Sequence, residues 1–251
     1  MKRLRLGAAI LNQTPLDWEG NVAHILTAIE TARDDRVSVL CLPELCITGY
    51  GCEDMFVSSH TWRTSWDMLQ KIVPATRGMV VSIGLPLYIT NGVYNVACIV
   101  ADGKIVGFVP KQHLAGDGLH YEPRWFRAWP AETISEYSHE GDAWPIGDLI
   151  FECDGVRFGF EICEDAWVAG RPGNRMAECG VDVILNPSAS HFAFGKHEIR
   201  KRFVLEDIFR DLVMIKTLSR SVFTASQPRR SDNTLSMDSV AEAWAKAWYA
   251  D

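Results

Sequence analysis

Apolar positions along this chain recur with two periods, and the switches between them mark out alternating strands and helices. Leu4 to Leu11 reads as one buried strand. From Asn21 to Arg33, Val22, Ile25, Leu26 and Ile29 fall three and four apart, the stripe of a helix. Val37 to Leu42 is a short apolar run stopped by Pro43, and Thr61 to Val73 returns to the helical period with Trp62, Trp66, Leu69 and Val73 on one face. Met79 to Leu85 reads as strand. Val93 to Ala101 and Lys104 to Val109 flank Asp102-Gly103, the dipeptide that best tolerates the left-handed backbone of a tight hairpin turn. Leu149 to Cys153 and Val156 to Ile162 repeat the pattern around Asp154-Gly155. Val181 to Leu185 is a further buried strand, and the spacing from about Lys196 to Leu218 predicts a long helix. Between these elements, Gly116 to Gly147 is aromatic and irregular, with the length of a functional lid. Helices mixed with hairpins and buried strands predict an α/β sandwich, not a purely parallel Rossmann sheet.

Composition narrows the class without naming a chemistry. With 251 residues, 47% hydrophobic and 23% charged, the chain has the make-up of an ordinary globular protein. No apolar run approaches the roughly 18 residues of a membrane helix. The basic N-terminus is followed by Asn12 and Gln13, which break any signal-peptide core. A net charge of −7 offers no basic footprint for nucleic acid. The seven cysteines have no disulfide-framework spacing, and a reducing cytoplasm is the expected setting. Cys41, Cys46, Cys98 and Cys153 read as small core hydrophobes. Cys41, Cys46 and Cys52 lack the tight pairs of a structural zinc site.

Three apolar strands end on groups with chemistry. The run to Leu42 meets Pro43-Glu44, the hairpin strand meets Pro110-Lys111, and the second hairpin runs through Phe160-Glu161-Ile162 to Cys163-Glu164-Asp165. Strand ends fix a side chain while leaving it accessible, so function collects there. A thiol can attack an amide carbonyl, a cation beside it favours the thiolate, and a carboxylate within reach takes the proton.

In this order and context, Glu44, Lys111 and Cys163 resemble the Glu–Lys–Cys triad of the nitrilase superfamily of carbon–nitrogen hydrolases. Further residues carry the resemblance to one branch, the glutaminase domain of glutamine-dependent NAD synthetase. These are Thr48-Gly49-Tyr50-Gly51-Cys52-Glu53-Asp54, Lys111-Gln112-His113-Leu114 with Tyr121-Glu122, and Phe160 through Trp167, with Asn186-Pro187-Ser188-Ala189-Ser190. The resemblance runs from about residue 4 to about 215 and implies an α-β-β-α sandwich. It implies Cys163 as nucleophile, Glu44 as general base, and Lys111 with the backbone N–H of Glu164 as oxyanion donors. Glu122 matches a second glutamate that holds the lysine. Tyr50, Glu164, Ser190 and Lys196 match positions holding the amino-acid end of glutamine, a carboxylate suiting its ammonium and a cation its carboxylate. A Cys–His dyad using His113, His120 or His191 lacks a marked orienting group.

Two departures accompany this likeness. A full synthetase of that branch carries a Ser-Gly-Gly-x-Asp-Ser phosphate loop, and nothing in the sequence matches it, so the amidase reaction is expected to need no cofactor and no ATP. Ammonia is then released or passed to a synthetase domain in trans. The second departure is the tail: residues 1–215 form the expected amidase domain, while 216–251 do not resemble the family's closing strands. Ser239 and Glu242 fit a capping box, with Val240, Trp244 and Trp248 on one helix face. That helix either docks on its own core or leaves a sandwich incomplete at its C-terminal end. The second case predicts homo-oligomerisation and weak ordering from about Ser226 to Ser236. The alternatives to a glutaminase are a stand-alone amidase for another small amide or carbamoyl compound, and an inactive fragment acting in assembly.

Overall fold

The computed structural model describes residues 4–116 and 120–190, together with the backbone of 213–216 and 218–219. Two sheets lie face to face. The larger is built from β1 (Leu6–Ala8), β3 (Val39–Cys41), β4 (Val80–Ile89), β5 (Gly92–Ala101), β6 (Lys104–Pro110), β7 (Ile134–His139) and β8 (Asp142–Gly147), in the order β1-β3-β4-β5-β6-β8-β7. The smaller has the order β12-β11-β10-β9, from β9 (Phe151–Cys153), β10 (Val156–Phe160), β11 (Val183–Asn186) and β12 (Val213–Lys216). A short pair joins β2 (Ile10–Leu11) to β13 (Leu218–Ser219).

Strand periodicity sorts the core into layers. On β3 and β5, Val39, Cys41, Ala97 and Ile99 point one way, meeting Phe158, Phe160, Val183 and Leu185 of the smaller sheet. Their neighbours Leu40, Val96, Cys98 and Val100 point the other way, against α1 (Trp18–Asp34) and α2 (Ser59–Ile72) through Ile25, Ile29, Leu69 and Ile72. On the far face of the smaller sheet, Ile184 packs with Met176 of α4 (Pro172–Glu178). The layers are thus α-β-β-α, the expected sandwich. Helix α1 begins where Asp17 accepts the Gly20 N–H at 3.1 Å, leaving one fewer orphan donor. Cys41, Cys46 and Cys98 are core residues, while Cys153 is half-buried.

Three features differ from the sequence expectation. Leu4 to Leu11 is two strands in separate sheets, with Ile10 exposed. The stretch from Gly116 to Gly147 carries regular structure in its second half, where β7 and β8 form a hairpin at Glu140-Gly141. Pro145 inside β8 and the polar outer face of β7 hide that pairing in the sequence, since proline cannot donate to a ladder. Tyr137 and Trp144 anchor the hairpin against Trp66 and Phe108. The long helix expected to Leu218 does not reach that far, because 213–216 pair in parallel with β11. A continuous Val-Met-Ile run fits either period, and the pairing with β11 decides for strand. Residues 196–212, and the tail beyond Ser219 with its expected helix and ordering, lie outside the described residues.

Candidate active site

The path from β3 to Glu44 depends on a glycine. After Pro43 the chain turns sharply, with Leu45 at φ +51°, and presses onto β4 at Gly84. A Cβ at Gly84 would stand 2.3 Å from the Leu45 nitrogen and 2.5 Å from the Pro43 oxygen, so no other residue fits without moving this turn. Glu44 is thereby aimed into the interior with its side chain fully covered. Its Oε1 accepts the Ala189 N–H at 2.8 Å; its Oε2 accepts from Asn95 Nδ2 at 2.9 Å and Lys111 Nζ at 3.0 Å.

Lys111 follows β6 directly. Its N–H donates to Asn95 at 2.9 Å and its carbonyl accepts from Trp129 at 3.0 Å, so backbone bonds hold it from both sides. Its Nζ also donates to Glu122 Oε1 at 2.8 Å. Glu122 opens the short helix α3 (Glu122–Trp125), and its carboxylate accepts further from Tyr50 Oη at 2.7 Å and the Ala115 N–H at 2.8 Å. The Tyr50 hydroxyl lies 3.1 Å from His120 Nδ1; having donated to Glu122, it accepts there from an Nδ1–H tautomer.

Two buried carboxylates around one ammonium divide unequally. Burial alone would push the Glu44 carboxyl up, but the Lys111 charge and hydrogen bonds from Ala189, Cys163 and Lys111 hold it below its ordinary value. Burial dominates at Glu122, whose carboxyl is pushed up, with the charge of Glu44 adding to the rise. Burial would lower Lys111, yet its two carboxylates raise it well above the usual lysine range and keep it charged. Burial also raises the Tyr50 hydroxyl, helped by the charge of Glu122.

Cys163 comes from the other sheet. Strand β10 continues through Glu161 and Ile162 into a tight turn, Cys163 to Ala166. Cys163 has φ +47°, left-handed for a residue with a Cβ, a strain of about 1–3 kcal/mol that neighbouring structure must hold. Its N–H donates to the Pro187 carbonyl at 2.9 Å, and its thiol hydrogen-bonds with Glu44. Below it, Glu161 is fully buried and forks onto Arg171, with Nε at 2.8 Å, while also accepting the Gly173 N–H at 2.6 Å. Asp165 accepts the Ile162 N–H at 2.9 Å on one oxygen and, on the other, the N–H groups of Gln112 and His113 at 3.1 and 2.7 Å.

Of the residues singled out in the sequence, Glu44, Lys111, Glu122 and Cys163 are brought into one buried cluster, with Tyr50 bonded to it. Glu164 sits half-buried in the turn after Cys163, and Ser190 is half-buried one residue past Ala189. Lys196 and His191 lie outside the described residues. His113 pairs with Asp165 and His120 with Tyr50. Asn95, Gly84, Asp165 and the Glu161–Arg171 pair were given no role by sequence reasoning. Gly84 left a signal, as a lone glycine inside an apolar strand, and Glu161 and Asp165 stood inside the motif around Cys163 without a role of their own. Burial drives the Cys41 and Cys46 thiols up to about 12, so both remain protonated core groups. Among the described residues, no group of three His, Cys, Asp or Glu side chains is placed to hold a metal.

Residues 5–202 match the carbon–nitrogen hydrolase family. The chain belongs to this family. It is 33% identical over 221 residues to a glutamine-dependent NAD(+) synthetase of Drosophila melanogaster, covering 84% of this chain and 27% of that one. The human enzyme of the same name is 32% identical over 210 residues, covering 79% of this chain and 30% of its own. The crystal structure of a glutamine-dependent NAD(+) synthetase from Cytophaga hutchinsonii superposes with a TM-score of 0.80 at 43% identity, over 86% of this chain and 36% of that one. This hydrolase therefore spans under a third of the curated relatives, and its domain is related to the corresponding part of them. A nitrilase-superfamily amidase from Nesterenkonia shares the fold, with a TM-score of 0.69 over 86% of this chain and 76% of that one, at 16% identity. Among the described residues no helix is long and apolar enough to cross a membrane.

Proposed function

We propose that this hydrolase cleaves the side-chain amide of glutamine through a thioester on Cys163 and releases ammonia for NAD(+) synthesis. The observation that carries the reading is the Cys163 thiol bonded to a buried carboxylate that shares Lys111 with Glu122. Relatives named glutamine-dependent NAD(+) synthetase at 32–43% identity support the choice of glutamine.

The Cys163 sulfur attacks the amide carbon while Glu44 takes the thiol proton. Charge develops on the carbonyl oxygen, where the Lys111 ammonium and the Glu164 N–H stabilise it. Two of the three Lys111 donors are taken by Glu44 and Glu122, and the third serves the oxyanion. Glu44 returns its proton to the departing nitrogen, which leaves as ammonia. Water, deprotonated by Glu44, then attacks the thioester and frees glutamate and the thiol. Glu122 keeps Lys111 charged and aimed; Tyr50, Glu164, Ser190 and Lys196 hold the amino-acid end of the substrate.

Replacing Cys163 with alanine tests this. Cys163→Ala loses glutamine hydrolysis while its melting transition stays near that of the parent, since one thiol gives way to a methyl group. Glutamine turnover retained by this variant, or lost instead in Cys46→Ala, defeats the assignment. A panel of small amides turned over faster than glutamine would transfer the reading to a stand-alone amidase.

A further inference from the structure

Asp165 lies two residues past Cys163 and is 2% exposed. Its carboxylate collects four donors from two distant segments. One oxygen accepts the Ile162 N–H at 2.9 Å, immediately before the nucleophile. The other accepts the Gln112 N–H at 3.1 Å, the His113 N–H at 2.7 Å and His113 Nδ1 at 3.2 Å, immediately after Lys111. We propose that Asp165 is a positioning residue that sets the separation of the Cys163 thiol and the Lys111 ammonium, by bracing the turn that bears one to the loop that bears the other. This rests on the reading of Cys163 as nucleophile and Lys111 as oxyanion donor.

A local cap for the Cys163 turn would need only the Ile162 N–H, together with the Asp165 N–H that returns to the Ile162 carbonyl at 3.1 Å. The remaining three donors lie on the loop that leaves β6, a strand of the other sheet. Thiol and ammonium therefore descend from different sheets, and packing between sheets is free to slide in a way a hydrogen-bonded ladder is not. One carboxylate with both oxygens committed removes that freedom. It also steadies Cys163 in its left-handed conformation from the Ile162 side, while Pro187 holds it from the other.

Two variants separate positioning from bulk stability. Asp165→Ala orphans all four donors. Asp165→Asn keeps one acceptor oxygen for the Lys111 loop but turns an amide N–H toward Ile162. A displacement of about 1 Å between reacting groups is worth about 100-fold. The Asp165→Ala variant is therefore expected to lose about 100-fold in kcat with KM within about threefold, and Asp165→Asn to fall between it and the parent. Alkylation of Cys163 by iodoacetamide, followed by mass of the modified peptide, slows in the same order as its sulfur leaves its fixed place beside Glu44 and Lys111. A lowered melting temperature with kcat unchanged well below the transition overturns the proposal. So does a matched change in kcat and KM with alkylation unaltered. Should Asp165→Ala fail to fold, Asp165→Asn alone decides by the same criteria. Glutamine turnover surviving in Cys163→Ala sinks the underlying reading; turnover lost there but intact in both Asp165 variants sinks this one alone.

Discussion

Two ion clusters grip the short helix α3 from opposite sides. On its inner side, Glu122 shares Lys111 with Glu44, all three side chains at zero exposure. On its outer side, Arg124 forks onto Asp54 at 2.5 and 2.7 Å, the side chains 66% and 62% exposed. The chemistry is the same, a guanidinium or ammonium on carboxylates, and the distances favour the outer pair. Environment reverses the ranking. Water solvates Arg124 and Asp54 whether or not they meet, and dissolved salt screens them. Nothing solvates Glu44, Lys111 and Glu122 except one another and the donors built around them, so each requires the others. Short contact distance says little about how much an ion pair matters; the loss of alternatives says more.

Removing the inner cation is the severest way to probe this contrast. Lys111→Met leaves two buried carboxylates facing each other without a counter-charge, which costs about 3–5 kcal/mol of stability. On the proposed mechanism it also deletes an oxyanion donor, worth about 100- to 1,000-fold in turnover. The sign with pH follows from the groups that remain. With Lys111 present, Glu44 sits below its ordinary value, so its contribution is present above the unfolded carboxylate pKa of about 4.3 and is lost as pH falls through its lowered value. Without Lys111, burial and mutual repulsion raise both carboxyls. The variant's deficit should then be largest at neutral pH and shrink as pH falls and the carboxylates take up protons. Thermal melts of both proteins across pH give the comparison directly. A deficit that stays constant or widens in acid would show that these side chains are not the buried charges described.

Moving the inner cluster without altering its charges is a gentler probe. Gly84→Ala introduces a Cβ about where the Pro43–Leu45 backbone now lies, and backbone cannot rotate aside as a long side chain can. Glu44 is then displaced from Cys163 and Lys111 while every charged group remains. We expect a loss of about 100-fold in kcat from the misplacement, with a smaller loss of stability than in Lys111→Met. Turnover measured beside the melting temperature checks it. Normal turnover in a folded Gly84→Ala protein would mean that the turn at Glu44 adapts, and that this contact does not set the position of its carboxylate.

The inner cluster was partly legible in the sequence because of where its members stand. Glu44, Lys111 and Cys163 each follow an apolar strand and a proline or isoleucine, which makes a charged or reactive group conspicuous. The Asp-Gly dipeptides made both hairpins around them readable for the same local reason, a turn that few residues tolerate. What joins the cluster was hidden. Asn95 sits in the middle of β5, where a polar residue in alternation ordinarily faces water; here it faces Glu44. Asp165 was visible as part of a motif, but its partners are about fifty residues earlier and on another sheet, a relation carried by tertiary packing alone. The pairing of β7 with β8 was lost to Pro145, and that of β12 with β11 to a run too short to have a period. Local chemistry wrote Glu44, Lys111 and Cys163 into the sequence; the braces between them exist only once the sheets have met.

The outer pair supplies the smallest effect and closes the comparison. Helix α3 is already fixed from within, since Glu122 holds Lys111, Tyr50 and the Ala115 N–H with both oxygens. The Phe126 N–H returns to the Glu122 carbonyl at 2.8 Å, and Phe126 itself is buried against Phe56. Arg124→Ala removes the outer fork but leaves Asp54 accepting the Trp125 indole N–H at 2.9 Å and otherwise solvated. Arg124 and the Trp125 donor hold the Asp54 carboxyl below its usual range, so what the pair adds is present above the ordinary aspartate pKa of about 3.9 and lost in stronger acid. At neutral pH we expect Arg124→Ala to retain full turnover, with a melting shift far smaller than that of Lys111→Met and reduced further by added salt. The measurement is a pair of melts at low and high ionic strength with turnover recorded in each. A loss of turnover at unchanged stability would place Arg124 in the path by which α3 aims Glu122, and the outer cluster would then be as necessary as the inner one.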